Sequence, residues 1–234
     1  MAVSSPNVVF VDKYNAQGTA AITAEGAAVP LVSAELKSET ANIYLVGAYE
    51  KISIQMLSDI DFMASFIEQE LRYQLAIASD NLFLTGTGSS QPKGITIYAL
   101  GFTITSVTTT NANNFDAIRA AVAQQQSLNF FPTHVFVNPI DKANMDLVKD
   151  NYGRPLVKEY MENGMLDGLK VVASNQIAVG YVLVADMTKF KILNLLAYQV
   201  TYGWENDDFR KNLVSVAGIR RSGTYVSLNH LNAF

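Results

Sequence analysis

The chain has 234 residues, room for one large domain or two modest ones, and is 49% hydrophobic but only 16% charged, against roughly a quarter charged in ordinary soluble domains. Its formal net charge of −4 and scattered basic residues give no nucleic-acid footprint, and with no cysteine it has no disulfide, thiolate metal site or cysteine nucleophile. So little charge implies that other subunits cover part of the surface.

The opening MAVSSPNVVFVDK lacks a basic start followed by a sustained apolar run, and apolar stretches such as Ile177 to Ala185 are too short to span a bilayer. A soluble protein without signal peptide or membrane segment is expected. Ala16 to Ala34 is dominated by Ala, Gly, Thr and Val and cannot anchor a core. Ile43 to Leu57 (IYLVGAYEKISIQML) alternates, with Tyr44, Val46, Ile52, Ile54 and Met56 on one face and Leu45, Tyr49 and Lys51 on the other. Extended, it would reach roughly 50 Å. The expectation is a long hairpin of these two segments, projecting onto a neighbour.

Ser58 to Thr85 has helical spacing, with Phe62, Phe66, Leu71, Leu75, Ala78 and Leu82 read as one face. Ser58 and Asp61 resemble a capping box, and Gly86 is a stop. This helix, roughly 40 Å long, is the expected spine. Ile95 to Val107 (ITIYALGFTITSV) reads as a strand, and Thr108 to Asn114 as a loop at a subdomain boundary. A second helix is expected from Phe115 to Leu128 behind Asn114. THVFVNP then gives a short buried strand, and Asn138-Pro139 starts a third helix to about Asp150. From Leu169 the chain is strand-like: LKVVASNQI, GYVLVADM, FKILNLLAYQVTYG and NLVSVAGIRRSGTYVSL. The class is α+β.

Chemistry has little to build on. His134 and His230 are the only histidines, and neither has a nucleophile and an acid nearby in sequence, so both read as ordinary strand or loop residues. No catalytic, cofactor-binding or metal-ligating residue is assigned. Asp59 and Asp61 read as acids favoured at a helix start. Glu205, Asp207 and Asp208 beside Trp204 lack the glycine and terminal glutamate of a calcium loop; they read as a solvated acidic turn that Arg210 and Lys211 can partner. Arg220 and Arg221 read as an inter-subunit pair before a DNA contact.

The segment NLFLTGTGSSQPKGI (Asn81 to Ile95) has the glycines of a phosphate loop. Its order is inverted, however, because it leaves a helix, and Lys93 is followed by Gly94 rather than Ser or Thr. A helix C-cap and turn is the reading adopted, with a nucleotide-binding enzyme using residues 86–94 as an alternative of another class.

Several stretches taken in order resemble the tailed-phage (Caudovirales or prophage) major capsid proteins of the Hong Kong 97-type fold. In that family the spine helix ends in a segment like aflxGxGxxxPxGi, matched by Leu82-Phe83-Leu84, Gly86, Gly88, Pro92, Gly94 and Ile95. Also similar are LVKDNYGRPLV (Leu147 to Val157), LDGLKVVASNQI (Leu166 to Ile177), VLVADMTKFKI (Val182 to Ile192), GIRRSGTYV and the terminal NAF. The resemblance implies an N-terminal remnant at 1–15, an extended β-hairpin loop at 16–57, a peripheral domain with the spine helix at 58–110, an axial domain at 111–202 and a return to the peripheral domain at 203–234. It further implies a shell subunit, not an enzyme and without cofactor. Hexamers and pentamers of the chain would close an icosahedral head around double-stranded DNA held by weak, non-specific contact. A scaffolding protein or segment and a portal are implied partners, and the virion is the location, after assembly in the host cytoplasm. An encapsulin-like shell is the near alternative.

Two departures from the family pattern matter. Little chain precedes the extended loop, which suggests a trimmed or processed form. Some members also form Lys–Asn isopeptides between subunits, assisted by a glutamate seven residues after the asparagine. Asn212 aligns with the asparagine and Lys37 could serve as the lysine, but Ile219 holds the assisting position. No self-crosslinking is expected.

Overall fold

The computed structural model of the chain describes residues 1–60, 62–102, 113–156 and 163–234. Its strands are β1 (Asn7–Gln17), β2 (Ser33–Asn42), β3 (Tyr44–Ser53), β4 (His134–Val137), β5 (Met165–Leu166), β6 (Leu169–Ala173), β7 (Val182–Ala185), β8 (Lys191–Gly203) and β9 (Leu213–Tyr225). Its helices are α1 (Ile54–Asp59), α2 (Met63–Thr85), α3 (Ile95–Tyr98), α4 (Asn114–Ser127) and α5 (Pro139–Leu147), with 3₁₀ turns at Phe209–Lys211 and Leu228–Ala233. Two compact units result. Met1–Val8, Asn42–Ile97 and Lys191–Tyr225 form the first, and Val9–Ala41, Tyr98–Phe190 and Val226–Phe234 the second.

In the first unit an antiparallel sheet has the order β3-β9-β8. Alternation along β3 and β9 puts Ile52, Val214 and Val216 on one face, where Ile67 and Leu71 of α2 close over them as a core. The buried side of α2 is Ile67, Leu71, Leu75, Ser79 and Phe83, one residue in every four. A step of four overshoots one turn by about 40°, so this seam winds around the helix. Phe62 and Phe66 therefore fall on the opposite side, 64% and 55% exposed, and not on the core face that simple helical spacing assigned to them.

Three further expectations are corrected in this unit. The spine does not start at Ser58: α1 ends at Asp59, Ile60 is extended (φ −124°, ψ 101°), and α2 begins at Met63. The Ser58 hydroxyl instead donates to the Ile54 carbonyl at 2.9 Å, while Asp61 lies outside the described residues. The strand read from Ile43 to Leu57 stops at Ser53, whose side chain caps α1 by accepting from the Met56 N–H. Ile95-Thr96-Ile97-Tyr98 is one helical turn despite its β-branched residues, because the Ile97 N–H donates to the Gly94 carbonyl and the Thr96 hydroxyl to the Leu84 carbonyl, at 3.2 and 2.8 Å. The remainder of that expected strand from Thr103, and Thr108 to Ala112 of the expected loop, lie outside the described residues.

The second unit holds a four-stranded sheet in the order β5-β6-β4-β7, with β4 parallel to β6 and antiparallel to β7. Val135 and Val137 are fully buried and pack with Leu169 and Val184 of the flanking strands, Phe115, Ile118 and Val122 of α4 and Met145 of α5. Helix α4 starts one residue before the expected position, with a capping box between Asn113 and Asp116. Helix α5 starts as read: the Asn138 side chain accepts from the Ile140 N–H and Pro139 occupies the first turn. Asp167 and Gly168, both at positive φ, turn β5 into β6.

The unit also carries most of β1 and β2, which form their own two-stranded sheet. The Ala-rich segment thus does not pair with Ile43 to Leu57, because β3 is taken up along its whole length by β9. Buried Asp12 of β1 accepts from the Leu228 N–H at 3.0 Å, within the same unit.

Candidate assembly surfaces

The glycine-rich segment closes the end of α2. The Gly86 N–H donates to the Leu82 carbonyl at 2.9 Å and the Gly94 N–H to the Gly86 carbonyl at 2.6 Å. These are two of the donors a phosphate would need, and they are engaged within the turn. A Cβ on Gly94 would stand 2.5 Å from the Gly86 nitrogen and 2.6 Å from the Leu84 oxygen, and one on Gly86 would collide with the Leu82 and Pro92 carbonyls. The glycines are there for close backbone approach.

The acidic turn is more structured than its sequence suggests. Asp208 is 4% exposed, and its carboxylate accepts from Lys51 Nζ at 3.1 Å, the Glu205 N–H at 2.9 Å and the Ser215 hydroxyl at 3.0 Å. Lys51 also reaches Glu205 at 3.0 Å, while the expected partner Arg210 stands 3.7 Å from Asp207. Burial pushes the Asp208 carboxyl up, but the hydrogen bonds from Glu205, Lys51 and Ser215 outweigh it and hold it below its usual range. A carboxylate depressed on folding contributes stability above its unfolded value of about 4, and that contribution is lost as pH falls through the folded value. Asp208→Asn is therefore expected to destabilise the protein at about pH 7 and to flatten its acid sensitivity between about pH 5 and about pH 3, as read by urea unfolding. An unchanged slope would remove Asp208 from acid unfolding.

The other residues singled out in the sequence stay apart. His134 is half-buried, with Nδ1 2.9 Å from the Thr133 hydroxyl and its ring stacked on Phe136. His230 meets Phe130 edge-on at 6.2 Å. Asp59 ends α1 rather than starting the spine. Arg220 packs its guanidinium over Phe83 at 5.4 Å and donates to Asn194 at 3.2 Å, next to the C-terminal turn of α2 where a cation is favoured. Arg221 falls on the opposite face of β9. Asn212 is left-handed at φ +59° just after the 3₁₀ turn, Ile219 faces Gly47 within the sheet, and Lys37 is paired with Glu39 at 2.8 Å. The Glu39 carboxylate raises the lysine above its ordinary range, opposite to what a nucleophilic amine requires.

What each unit does present is uncovered apolar surface. In the first unit Phe62, Phe66, Tyr73 and Ile77 lie along the outer side of α2, Leu45 and Tyr49 along the sheet face away from it, and Trp204 meets Phe209 edge-on at an exposed corner. In the second unit Val9 and Val11 line one side of β1, and the segment between the strands exposes Ile22 completely and Val29 by 80%. Sequence reading located the mobile-looking Ala-rich segment but missed α2's second apolar side. A helical-wheel angle for Phe62 and Phe66, measured against Leu71 and Leu75, carries that signal.

The family model described as the phage capsid family matches residues 2–229. The major capsid protein of Enterobacteria phage HK97 is 26% identical over 219 residues, covering 91% of this chain and 56% of its own length; the chain thus spans little more than half of that relative. The fold is that of the capsid of an empty GTA particle, with TM-score 0.76 and 18% identity over 99% of this chain and 84% of the other. It is also that of a Mycobacterium phage Adephagia structure, with TM-score 0.74 and 11% identity over 97% and 81%. The long helix laid on an antiparallel sheet, the glycine turn that closes it and the match along nearly the whole sequence agree: the chain belongs to the phage capsid family and has the Hong Kong 97-type fold.

Proposed function

We propose that this chain is a major capsid subunit whose work is self-association into hexamers and pentamers of an icosahedral phage or prophage head. The observation that carries the reading is the family match over residues 2–229, and the uncovered apolar surface in both units supports it. On this reading α2 with the β3-β9-β8 sheet supplies the peripheral domain, α4, α5 and the β5-β6-β4-β7 sheet the axial domain, and β1, β2 and the segment that joins them the arm. The subunit acts without catalysis or cofactor. Double-stranded DNA fills the head and touches the inner wall weakly and without sequence preference, as suits a subunit of net charge −4. A scaffolding protein or segment and a portal complete the partners, and assembly takes place in the host cytoplasm before the subunit resides in the virion.

Negative-stain microscopy of the purified protein tests this, with a denaturing gel of the same particles. Closed shells or five- and six-fold rings are expected, running as one band at the 25.6 kDa of the chain. A protein that stays monomeric would overturn the reading, and a covalent ladder would overturn the absence of crosslinking at Asn212. Shells that enclose an enzyme rather than DNA would shift it to an encapsulin-like compartment.

A further inference from the structure

Between β8 and β9 of the first unit the chain makes the turn that carries Trp204 and Phe209, two rings that are 63% and 75% exposed and meet edge-on at 6.1 Å. Its backbone is tied down from the inside. The Glu205 N–H donates to the buried Asp208 carboxylate at 2.9 Å, the Asp208 N–H to the Glu205 carbonyl at 3.1 Å, and the Lys211 and Leu213 N–H groups to the Asp208 carbonyl at 3.1 and 2.9 Å. Lys51 of β3 and Ser215 of β9 hold the same carboxylate. Burying a carboxylate is costly, yet the two aromatic residues of the turn stay in water. The network presents them at a fixed place, so a partner that covers them loses little entropy in ordering the turn.

The charges beside the rings have both signs. Asp207 and Arg210 are exposed, and at 3.7 Å they are more loosely joined than the 3.0 and 3.1 Å pairs of Lys51. An exposed pair of that kind contributes little, and both groups remain able to pair elsewhere. A partner of one sign would meet one of them with like charge. A second copy turned about a two-fold axis meets both with opposite charge, because such a contact sets residue i against j and j against i.

We propose that this corner is a contact between two copies of the chain, with Trp204 and Phe209 of each packed on those of the other and Asp207 of each paired with Arg210 of the other. The inference rests on the reading of the chain as a self-associating subunit and names a place where two of them touch. Trp and Arg are among the residues that most often carry such contacts, and the Asp208 network holds the turn that bears them.

The test compares the full chain with Asp207→Arg and Arg210→Asp, each alone and mixed in equal amounts, by sedimentation velocity and negative-stain microscopy over a concentration series. Either variant alone gives positions 207 and 210 the same sign on every copy, so the copies repel there, and the concentration at which particles form is expected to rise about tenfold. In the mixture unlike copies meet with opposite signs while the pair within each chain stays repulsive, so recovered assembly reports contact between copies and not repair of the turn. Trp204→Ala raises the same threshold about tenfold, with the unfolding midpoint of the dispersed subunit unchanged. Assembly of any single variant at the unaltered threshold, or a mixture no better than its components, would overturn the proposal and leave self-association in place. An unaltered chain that stays monomeric at every concentration overturns both.

Discussion

Replacing Thr19–Pro30 by a two-residue Asn-Gly turn is expected to leave the subunit folded and to stop shell formation. Position 18 is where the two strands of the arm come together: Gly18 is at φ +86°, and a Cβ there would strike the Leu31 carbonyl. A two-residue turn is therefore long enough to join β1 to β2. None of the removed residues is buried, Ile22 being wholly exposed and Val29 80% exposed, so little transfer energy is lost, and the shorter loop closes at slightly lower entropic cost. Circular dichroism and the unfolding midpoint should match those of the unaltered protein. Microscopy should show dispersed subunits or small rings in place of closed shells. Normal shells from this variant would take the arm out of assembly altogether.

Gly94→Ala is expected to be strongly destabilising, at about 3 kcal/mol or more. The new Cβ would meet only backbone, the Gly86 nitrogen and the Leu84 oxygen, and neither can move without opening the last turn of α2. The strand-side anchor is fixed too, because the Thr224 hydroxyl donates to the Lys93 carbonyl at 2.7 Å. For a chain of this size the loss corresponds to a fall in unfolding temperature of about 6 to 12 °C. Ser89→Ala, exposed in the same turn, should stay within about 0.5 kcal/mol. A phosphate loop behaves otherwise: nucleotide would raise the unfolding temperature of the native chain. Equal stability of the Gly94 and Ser89 variants would show that the turn yields.

The sequence disclosed what is local. Asn138-Pro139 carries its own cap and its own first-turn φ, so α5 starts where it was read, and the glycines of Asn81 to Ile95 showed the end of α2. The strands from β6 to β9 were legible from their apolar runs and turns. What failed depends on distant partners. The choice of β9 as the mate of β3, and of β1 as the mate of β2, is settled by pairing across the chain and leaves no mark within either strand. Ile95 to Tyr98 has strand-like composition, and hydrogen bonds to the carbonyls of Leu84 and Gly94 help to hold it as a helical turn. The partner of Asp208, Lys51, is 157 residues away. As to assembly, low charge pointed to covered surface, but reading the apolar residues of α2 as a single face merged its outer side with its core side, which the four-residue step of the buried seam separates.

The first unit carries its uncovered apolar residues on α2, on the sheet and at the Trp204 corner, and the second carries others on the arm. On the capsid reading, each joint between subunits is then made of many modest attractions. Such joints are reversible one at a time, so a subunit added at the wrong angle can detach before its neighbours trap it, while a closed particle is held by all of them together. Contacts shared among several elements in this way would give a growing shell its means of error correction.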